Sequence, residues 1–356
     1  MNKKFKRAVL HVGPDKTGST AIQFALAQCR ELLLDRGIQY SVREAINDKG
    51  LYHFFLTNSR LSSIAKKSNK LDRSDKSHAQ NYMLKLKSEL SNTSATGLIL
   101  SHEGLCHLNN QEMAGLRDFL LNYTDSVEVV MYVRDSASYA TSAMSQRVKT
   151  GRRALGEGLP YIKYKTIIST LVDVFGRPNI NVRAFSREAF PNGNIVMDFL
   201  DLLPLDIKDK KYITQTSLFE ANVSLSHRGL LVGDRIVELL GDLVPKAGDF
   251  KKLFLSDLMG LQGEAIKLSG KEREKLQAIT SKHMDFIREN FNIDVEMKSR
   301  DQAVHDGNKP VIHDEIDALA RDIIKKSLPG HLLPVRKSSR IGLCAAMNTF
   351  MKRITG

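Results

Sequence analysis

Five short strand-like segments, three of them apolar runs, with helical patterns between them, constrain the fold of this chain most strongly. Short continuous apolar runs are typical of strands that are buried on both faces of a sheet. Strands that alternate with helices along a chain pair in parallel through right-handed crossovers. We therefore expect an α/β fold in three layers, with a central parallel sheet flanked by helices. The predicted strands cover residues 8–12, 38–40, 97–101, 127–133 and 180–185.

The rest of the chain divides into helices, one irregular segment and a basic C-terminal region. Lys, Ser and Asn dominate residues 66–76, so we predict an irregular insertion or lid over residues 45–76. No strand pattern follows about residue 204. We therefore expect one α/β domain over residues 1–227 and a mainly helical C-terminal extension over residues 228–356. The predicted helices that separate the strands cover residues 19–36, 77–92, 110–122 and 161–175.

The charge of the chain favours an anionic partner. The 356 residues include 53 Lys and Arg against 40 Asp and Glu, which gives a formal net charge of +13. Such an excess is typical of proteins that bind nucleotides, acidic glycans, nucleic acids or lipid headgroups. The three cysteines form no CxxC pair, so we expect neither a disulfide framework nor a zinc site. No apolar run approaches the ~20 residues of a membrane span, and we expect a cytoplasmic protein.

The stretch between the first predicted strand and the first predicted helix has the composition of an anion-binding loop. It reads GPDKTGST, residues 13–20. A strand that ends in a glycine turn and enters a helix presents backbone N–H groups and the positive end of the helix dipole to an anion. Lys16 adds charge, and Ser19 and Thr20 add hydroxyl donors. In the Walker loop the Lys follows the second Gly, whereas Lys16 precedes Gly18, and this order argues against an ATPase.

This loop resembles the 5′-phosphosulfate loop of the sulfotransferases that use 3′-phosphoadenosine 5′-phosphosulfate (PAPS). That family has a Lys-[Ser/Thr]-Gly-[Ser/Thr]-Thr core after its first strand. The second part of its signature is an Arg at the end of a central strand and a Ser eight residues later, and Arg134 and Ser142 match it. Residues 181–206 are similar to the last strand, turn and helix of bacterial members. The resemblance covers residues 7–227, and the Arg-Lys-Gly segment of many cytosolic animal members is not found.

The resemblance implies a P-loop NTPase-like fold and PAPS as the sulfuryl donor, with adenosine 3′,5′-bisphosphate as the product. It also implies that Arg134 and Ser142 bind the ribose 3′-phosphate, for which a guanidinium provides two parallel hydrogen bonds. The implied cofactor-binding residues are Lys16, Thr17, Gly18, Ser19, Thr20, Arg134 and Ser142.

Sulfuryl transfer needs a positive charge at the leaving oxygen and a base at the acceptor. Lys16 is the candidate for the first role. We expect the base at the carboxyl end of the third strand, where the sequence LILSHEGL places His102 and Glu103. Animal relatives use a His there and several glycan sulfotransferases use a Glu, so both stay candidates, with Glu103 favoured because a carboxylate needs only a modest rise in pKa. We expect no metal, since His102 and His107 would lie about 140° apart on a helix.

The expected acceptor is a hydroxyl of a carbohydrate or glycolipid in a bacterial cell. A nucleotide-dependent kinase on the same fold is a first alternative, although it would need a metal-binding acidic residue and a Walker-order Lys. A noncatalytic nucleic-acid-binding protein is a second alternative, suggested by the net charge. Against it, no Trp occurs, aromatic residues make up 7% of the chain, and no known nucleic-acid motif is present, so we expect no nucleic acid as a partner.

The C-terminal residues contain one amphipathic pattern. Met347, Phe350, Met351 and Ile354 recur at helical spacing, and Lys and Arg flank them. This stripe predicts either a terminal helix that packs on the protein's own core or an interfacial helix that contacts anionic lipid. In the second case the protein would be peripheral at the inner membrane face.

Overall fold

Five parallel strands form one sheet in the order β2-β3-β1-β4-β5. The computed structural model describes residues 4–42, 45–61, 73–216, 224–295 and 313–327. The predicted α/β fold with a parallel central sheet is confirmed. The strands are β1 Arg7–His11, β2 Ile38–Tyr40, β3 Gly97–Ser101, β4 Val127–Val133 and β5 Ile180–Ala184.

Helices connect the strands and continue beyond the last one. A 3-10 turn, Glu103–His107, directly follows β3. The helix predicted over residues 19–36 is divided at Cys29 into two helices. In chain order the helices are α1 Ser19–Gln28, α2 Arg30–Asp35, α3 Lys49–Phe55, α4 Arg73–Asn92, α5 Asn110–Leu121, α6 Ser136–Lys149, α7 Tyr164–Phe175, α8 Ile195–Leu200, α9 Ile207–Thr216, α10 His227–Leu240, α11 Ala247–Gly260, α12 Gly270–Phe291 and α13 His313–Ser327.

The chain divides into two compact units, and each is made of several segments. This division differs from the predicted boundary after residue 227. Ser136–Ile162 belongs to the second unit, and Thr280–Glu296 belongs to the first. The first unit is Met1–Asp135, Lys163–Ala221 and Thr280–Glu296, and the second is Ser136–Ile162, Asn222–Ile279 and Met297–Gly356.

The first unit contains the sheet. One cluster of its core joins Val9 of β1 and Tyr132 of β4 to Ile22 of α1 and Phe199 of α8. Consecutive residues of β4 are buried, so both faces of this strand are covered. The helices α5 and α7 contact β4 and each other. Burial on both faces is the pattern expected of the middle layer of a three-layer fold.

The described elements of the second unit are helical. Its core joins Met144 of α6, Ile236 of α10, Phe254 of α11 and Ile324 of α13. The buried carboxylate of Asp234, on α10, organises the segment that follows α6. It accepts hydrogen bonds from the backbone N–H groups of Ala154 and Leu155 and forms an ion pair with Arg153, whose Nε lies 2.9 Å away.

The prediction of an irregular insertion over residues 45–76 is wrong for Lys49–Phe55, because these residues form α3. This helix packs on α4, where a Cβ at Gly50 would lie 2.2 Å from Cγ of Tyr82, so only glycine permits the approach. Residues 62–72 lie outside the described part of the chain, and so does the amphipathic pattern over residues 347–354. Within the described residues, no helix has the length and apolar character needed to cross a bilayer.

Candidate functional site

The strand order places β1 and β4 at the point where the connections of the sheet diverge. The chain leaves β1 toward β2 on one side and leaves β4 toward β5 on the other. In open α/β sheets, ligands bind outside the carboxyl ends of the strands at such a point. The candidate anion-binding loop, residues 13–20, follows β1 and enters α1, and Arg134 follows β4. Both candidate elements therefore lie where the topology favours a ligand site.

The backbone of the β1–α1 loop is left-handed at three residues, with φ of 74° at Gly13, 65° at Lys16 and 80° at Gly18. Gly18 is the N-cap residue of α1, and no side chain caps this helix. The positive end of the helix dipole is therefore not closed by a capping side chain, as suits a site for an anion. Lys16 is half-buried and Thr20 is exposed.

Two hydroxyl groups of the loop hold its turn together. The Oγ1 of Thr17 and the Oγ of Ser19 donate hydrogen bonds to the carbonyl of Pro14, at 2.6 and 3.3 Å. Both side chains are buried. These two hydroxyls therefore fix the loop, and the part of Ser19 in binding an anion stays a prediction.

Two close approaches place the loop against its neighbours. A Cβ at Gly13 would lie 2.6 Å from Cα and 2.9 Å from Cβ of Glu103. A Cβ at Gly18 would lie 2.4 Å from Cδ1 of Ile195. Both glycines also have positive φ, which L side chains rarely adopt. The loop thus runs directly beside the candidate base Glu103.

Arg134 joins the end of β4 to the loop. Its Nη1 donates to the carbonyl of Lys16 at 2.8 Å, and its guanidinium lies over the ring of Phe185, 5.0 Å from the centroid. The hydroxyl of Tyr164 accepts from its backbone N–H at 2.9 Å. Burial lowers the pKa of Arg134 from its ordinary value, but an Arg remains charged in proteins. The structure therefore brings Lys16 and Arg134 together.

Ser142, the residue expected to act with Arg134, lies on α6 and is half-buried. The helix α6 belongs to the second unit, whereas Arg134 belongs to the first. Its part in binding the 3′-phosphate stays a prediction.

His102 is buried and has a structural role in the turn after β3. Its Nδ1 accepts a hydrogen bond from the backbone N–H of Gly104 at 2.9 Å, and its ring stacks on Tyr52 with 5.6 Å between centroids. Burial lowers the pKa of His102 to about 4, a shift that the nearby charge of Glu103 opposes. The imidazole is thus neutral near pH 7, and its proton lies on Nε2 because Nδ1 is an acceptor.

Glu103 is half-buried and takes part in a chain of hydrogen bonds that leads to buried residues in the interior of the first unit. Nε2 of Gln23 lies 3.3 Å from Oε2 of Glu103 and 3.2 Å from Oγ of Ser101. Oγ of Ser101 lies 2.7 Å from Nδ1 of His11. Burial lowers the pKa of His11 to about 4, with Glu103 acting in the opposite direction, so this imidazole is also neutral near pH 7.

The fully buried carboxylate of Asp48 contacts the same hydrogen-bond chain at Ser101. It accepts hydrogen bonds from the hydroxyls of Ser41 and Tyr82 and from the backbone N–H of Ser101. Burial raises its pKa to about 6, although these hydrogen bonds oppose the rise. Asp48 is thus linked directly to β3 at Ser101. Sequence reasoning missed Gln23, His11 and Asp48, because their partners come from other elements.

The fold and this geometry define the chain as an α/β protein with a candidate site at the carboxyl ends of its parallel strands. The described residues contain no group of three or more His, Cys, Asp or Glu side chains that could hold a metal ion. No protein-family model matches the chain. An uncharacterized protein of Archaeoglobus fulgidus is 28% identical to it over 261 residues, which are 72% of this chain and 69% of the archaeal protein.

Proposed function

We propose that this protein is a PAPS-dependent sulfotransferase with a P-loop-like fold, acting on a hydroxyl of a carbohydrate or glycolipid. The observation that carries the proposal is the meeting of two matched motifs at one place. The Lys-Thr-Gly-Ser-Thr loop follows β1, Arg134 follows β4, and Nη1 of Arg134 donates to the carbonyl of Lys16. These two strands are the ones at which the connections of the sheet diverge.

The proposed donor site uses the charge and the backbone of these two elements. The N-terminus of α1 and Lys16 face the 5′-phosphosulfate, which is the group that the loop motif implies. Arg134 recognises the ribose 3′-phosphate, the group that distinguishes PAPS from ATP, and Ser142 stays the residue that the motif pairs with it. A guanidinium has five N–H donors, so contact with the Lys16 carbonyl is compatible with a hydrogen bond to phosphate.

The proposed reaction is an in-line displacement at sulfur. A bond forms between the acceptor oxygen and sulfur while the bond between sulfur and the bridging phosphate oxygen breaks. The acceptor proton passes to Glu103, and adenosine 3′,5′-bisphosphate leaves with the bonding electron pair. Lys16 stabilises the negative charge that develops on the leaving oxygen.

The geometry favours Glu103 over His102 as the base. Nδ1 of His102 accepts from the backbone N–H of Gly104, and Nε2 then carries the ring proton. Neither nitrogen can take a further proton unless the turn after β3 opens. Glu103 is half-buried, and its backbone touches the β1–α1 loop at Gly13. The carboxylate is therefore the better acceptor for the proton.

Nucleotide selectivity tests the proposed donor site. Adenosine 3′,5′-bisphosphate should raise the melting temperature of the protein, and AMP should raise it far less. Arg134→Ala should lose most of this preference, because a charge-assisted hydrogen bond contributes about 1.5–3 kcal/mol. Arg7→Ala is the matched control, since Arg7 begins β1 and lies at the amino ends of the strands, away from the proposed site. Equal stabilisation of the wild type by the two nucleotides would refute the 3′-phosphate assignment and support the kinase alternative.

Transfer of label from PAPS to a panel of cell-envelope glycans, glycolipids and small alcohols tests the activity itself. Lys16→Met should slow transfer strongly with a smaller loss of bisphosphate affinity, because its charge matters most in the transition state. Glu103→Gln should abolish transfer, whereas His102→Ala should leave a measurable rate. The opposite pattern for these two variants would assign the base to His102. Transfer should persist in EDTA, and its complete loss there would contradict a metal-independent mechanism.

A further inference from the structure

A chain of hydrogen bonds runs from the carboxylate of Glu103 to a fully buried histidine. Gln23, on α1, lies between the two ends of this chain and is itself buried. Its Nε2 is within hydrogen-bond distance of Oε2 of Glu103 and of Oγ of Ser101, and Ser101 contacts Nδ1 of His11. The pairing of β1 with β3 sets the last contact, because His11 and Ser101 are register partners.

The direction of these hydrogen bonds follows from the chemistry of the groups. A carboxylate only accepts, so the Gln23 amide nitrogen donates to Glu103. The second hydrogen of the same nitrogen then points to Ser101, whose oxygen accepts it. Between Ser101 and Nδ1 of His11 either direction satisfies both groups, because a serine oxygen can accept twice and a neutral imidazole nitrogen can accept or donate. A flipped amide would place the Gln23 oxygen against the carboxylate, so the chain fixes one orientation of Gln23.

We propose that Gln23 is a positioning residue that holds the carboxylate of Glu103 beside the β1–α1 loop, and that Ser101 and His11 fix the Gln23 amide from behind. The inference rests on the proposed function, in which Glu103 takes the acceptor proton. Gln23 restrains the carboxylate in one orientation and acts only through it.

The titratable groups that feel the charge of Glu103 are His11 on β1, Tyr40 on β2, and His102 and Cys106 beside β3. Burial lowers the pKa values of His11 and His102 to about 4 and holds those of Tyr40 and Cys106 above their ordinary values. These four groups are therefore uncharged near pH 7, and the Gln23 amide is the polar group that restrains the carboxylate of Glu103.

The first measurement is the NMR signal of the ¹⁵N-labelled side-chain amide of Gln23 in the full chain, assigned by its loss in Gln23→Met. Glu103→Gln removes the carboxylate that accepts from this amide and should shift the signal. Ser101→Ala removes the second acceptor and should cause a smaller shift. Gln28→Ala changes an exposed residue at the end of the same helix and should cause none.

The second measurement is the steady-state kinetics of transfer from PAPS. Gln23→Met should lower kcat about tenfold or more with little change in the KM for PAPS, because it misplaces the carboxylate and leaves the donor site intact. Gln23→Glu, which places a second carboxylate at this position, should lower kcat further. A loss of packing alone would lower the melting temperature without this division between kcat and KM.

The two readouts separate this inference from the proposed function. Absence of transfer in the wild type would refute the proposed function, and the amide signal would still decide whether Gln23 holds Glu103. A Gln23 amide signal that does not move in folded Glu103→Gln, or an unchanged kcat in folded Gln23→Met, would overturn the positioning role.

Discussion

Substitution of Gly13 by Ala tests the close approach of the β1–α1 loop to Glu103, the proposed base. Gly13 has φ of 74°, and an added Cβ would lie 2.6 Å from Cα of Glu103. A left-handed backbone costs a non-glycine residue about 1–2 kcal/mol. Overlap with backbone atoms forces a local shift that typically costs about 1–3 kcal/mol. Gly13→Ala should therefore lower the free energy of unfolding by about 2–5 kcal/mol.

Gly37→Ala is the matched control in the same unit. Gly37 has φ of 73°, but an added Cβ would meet only Oγ1 of Thr96, at an ordinary contact distance of 3.6 Å. This variant should lose only the backbone part, about 1–2 kcal/mol. The difference between the two variants isolates the overlap with Glu103. Urea unfolding followed by far-UV circular dichroism measures it, since the chain has no Trp.

The same pair of variants separates stability from function. In Gly13→Ala the loop should be displaced from Glu103. This variant should transfer the sulfuryl group on the order of a hundredfold more slowly, because small misplacements of reacting groups reduce rates steeply. Gly37→Ala should keep the wild-type rate per folded molecule. Equal stability of the two variants, or wild-type transfer by Gly13→Ala, would refute the close approach of loop and base.

Two further predictions concern buried carboxylates. Burial raises the pKa of Asp48 to about 6, above the ~3.9 of an unfolded Asp, so the folded protein retains this proton after the unfolded chain has lost it. The contribution of Asp48 to the free energy of unfolding should therefore fall by about 3 kcal/mol as pH rises from about 4 to about 6 and then level off. Asp48→Asn should remove this fall, and an identical pH profile in the variant would contradict the assignment. Asp234→Ala leaves the N–H groups of Ala154 and Leu155 without their acceptor and should cost about 2–4 kcal/mol in urea unfolding, whereas exposed Asp242→Ala should change stability by less than about 0.5 kcal/mol.

The strands β1, β3 and β4 could be predicted closely from the sequence because each is a short apolar run buried on both faces. The signal for β2, IQY, and β5, INVRA, is weaker because polar residues interrupt both. The helix α3 could not be predicted, because its sequence, KGLYHFF, has no clear helical period and includes a glycine. Its stability comes from packing on α4, where Gly50 meets Tyr82. Such a tertiary contact has no local signal.

The residues of the candidate site also differ in whether a local sequence signal or a tertiary contact brings them to the site. Lys16 and Arg134 were predictable because each follows a strand within a recognisable motif. The chain from Glu103 through Gln23 and Ser101 to His11 was not, since it depends on the register between β1 and β3. The contact that argues against His102 as the proposed base also needed the structure, because only the position of the Gly104 N–H shows that Nδ1 of His102 accepts a hydrogen bond.

The central place of β1 in the sheet has a consequence for synthesis on the ribosome. His11 pairs with Ser101, 90 positions later in the chain. At the usual 5–20 residues per second, β1 therefore waits on the order of 5–20 s before its β3 neighbour is even translated. During that time the backbone of β1 has neither of its neighbouring strands to pair with. Side chains that are buried in the folded protein, among them Val9 and Leu10, are not yet covered by those strands. The nascent β1 segment is thus a natural site for chaperone binding, and translation speed should influence the yield of folded protein.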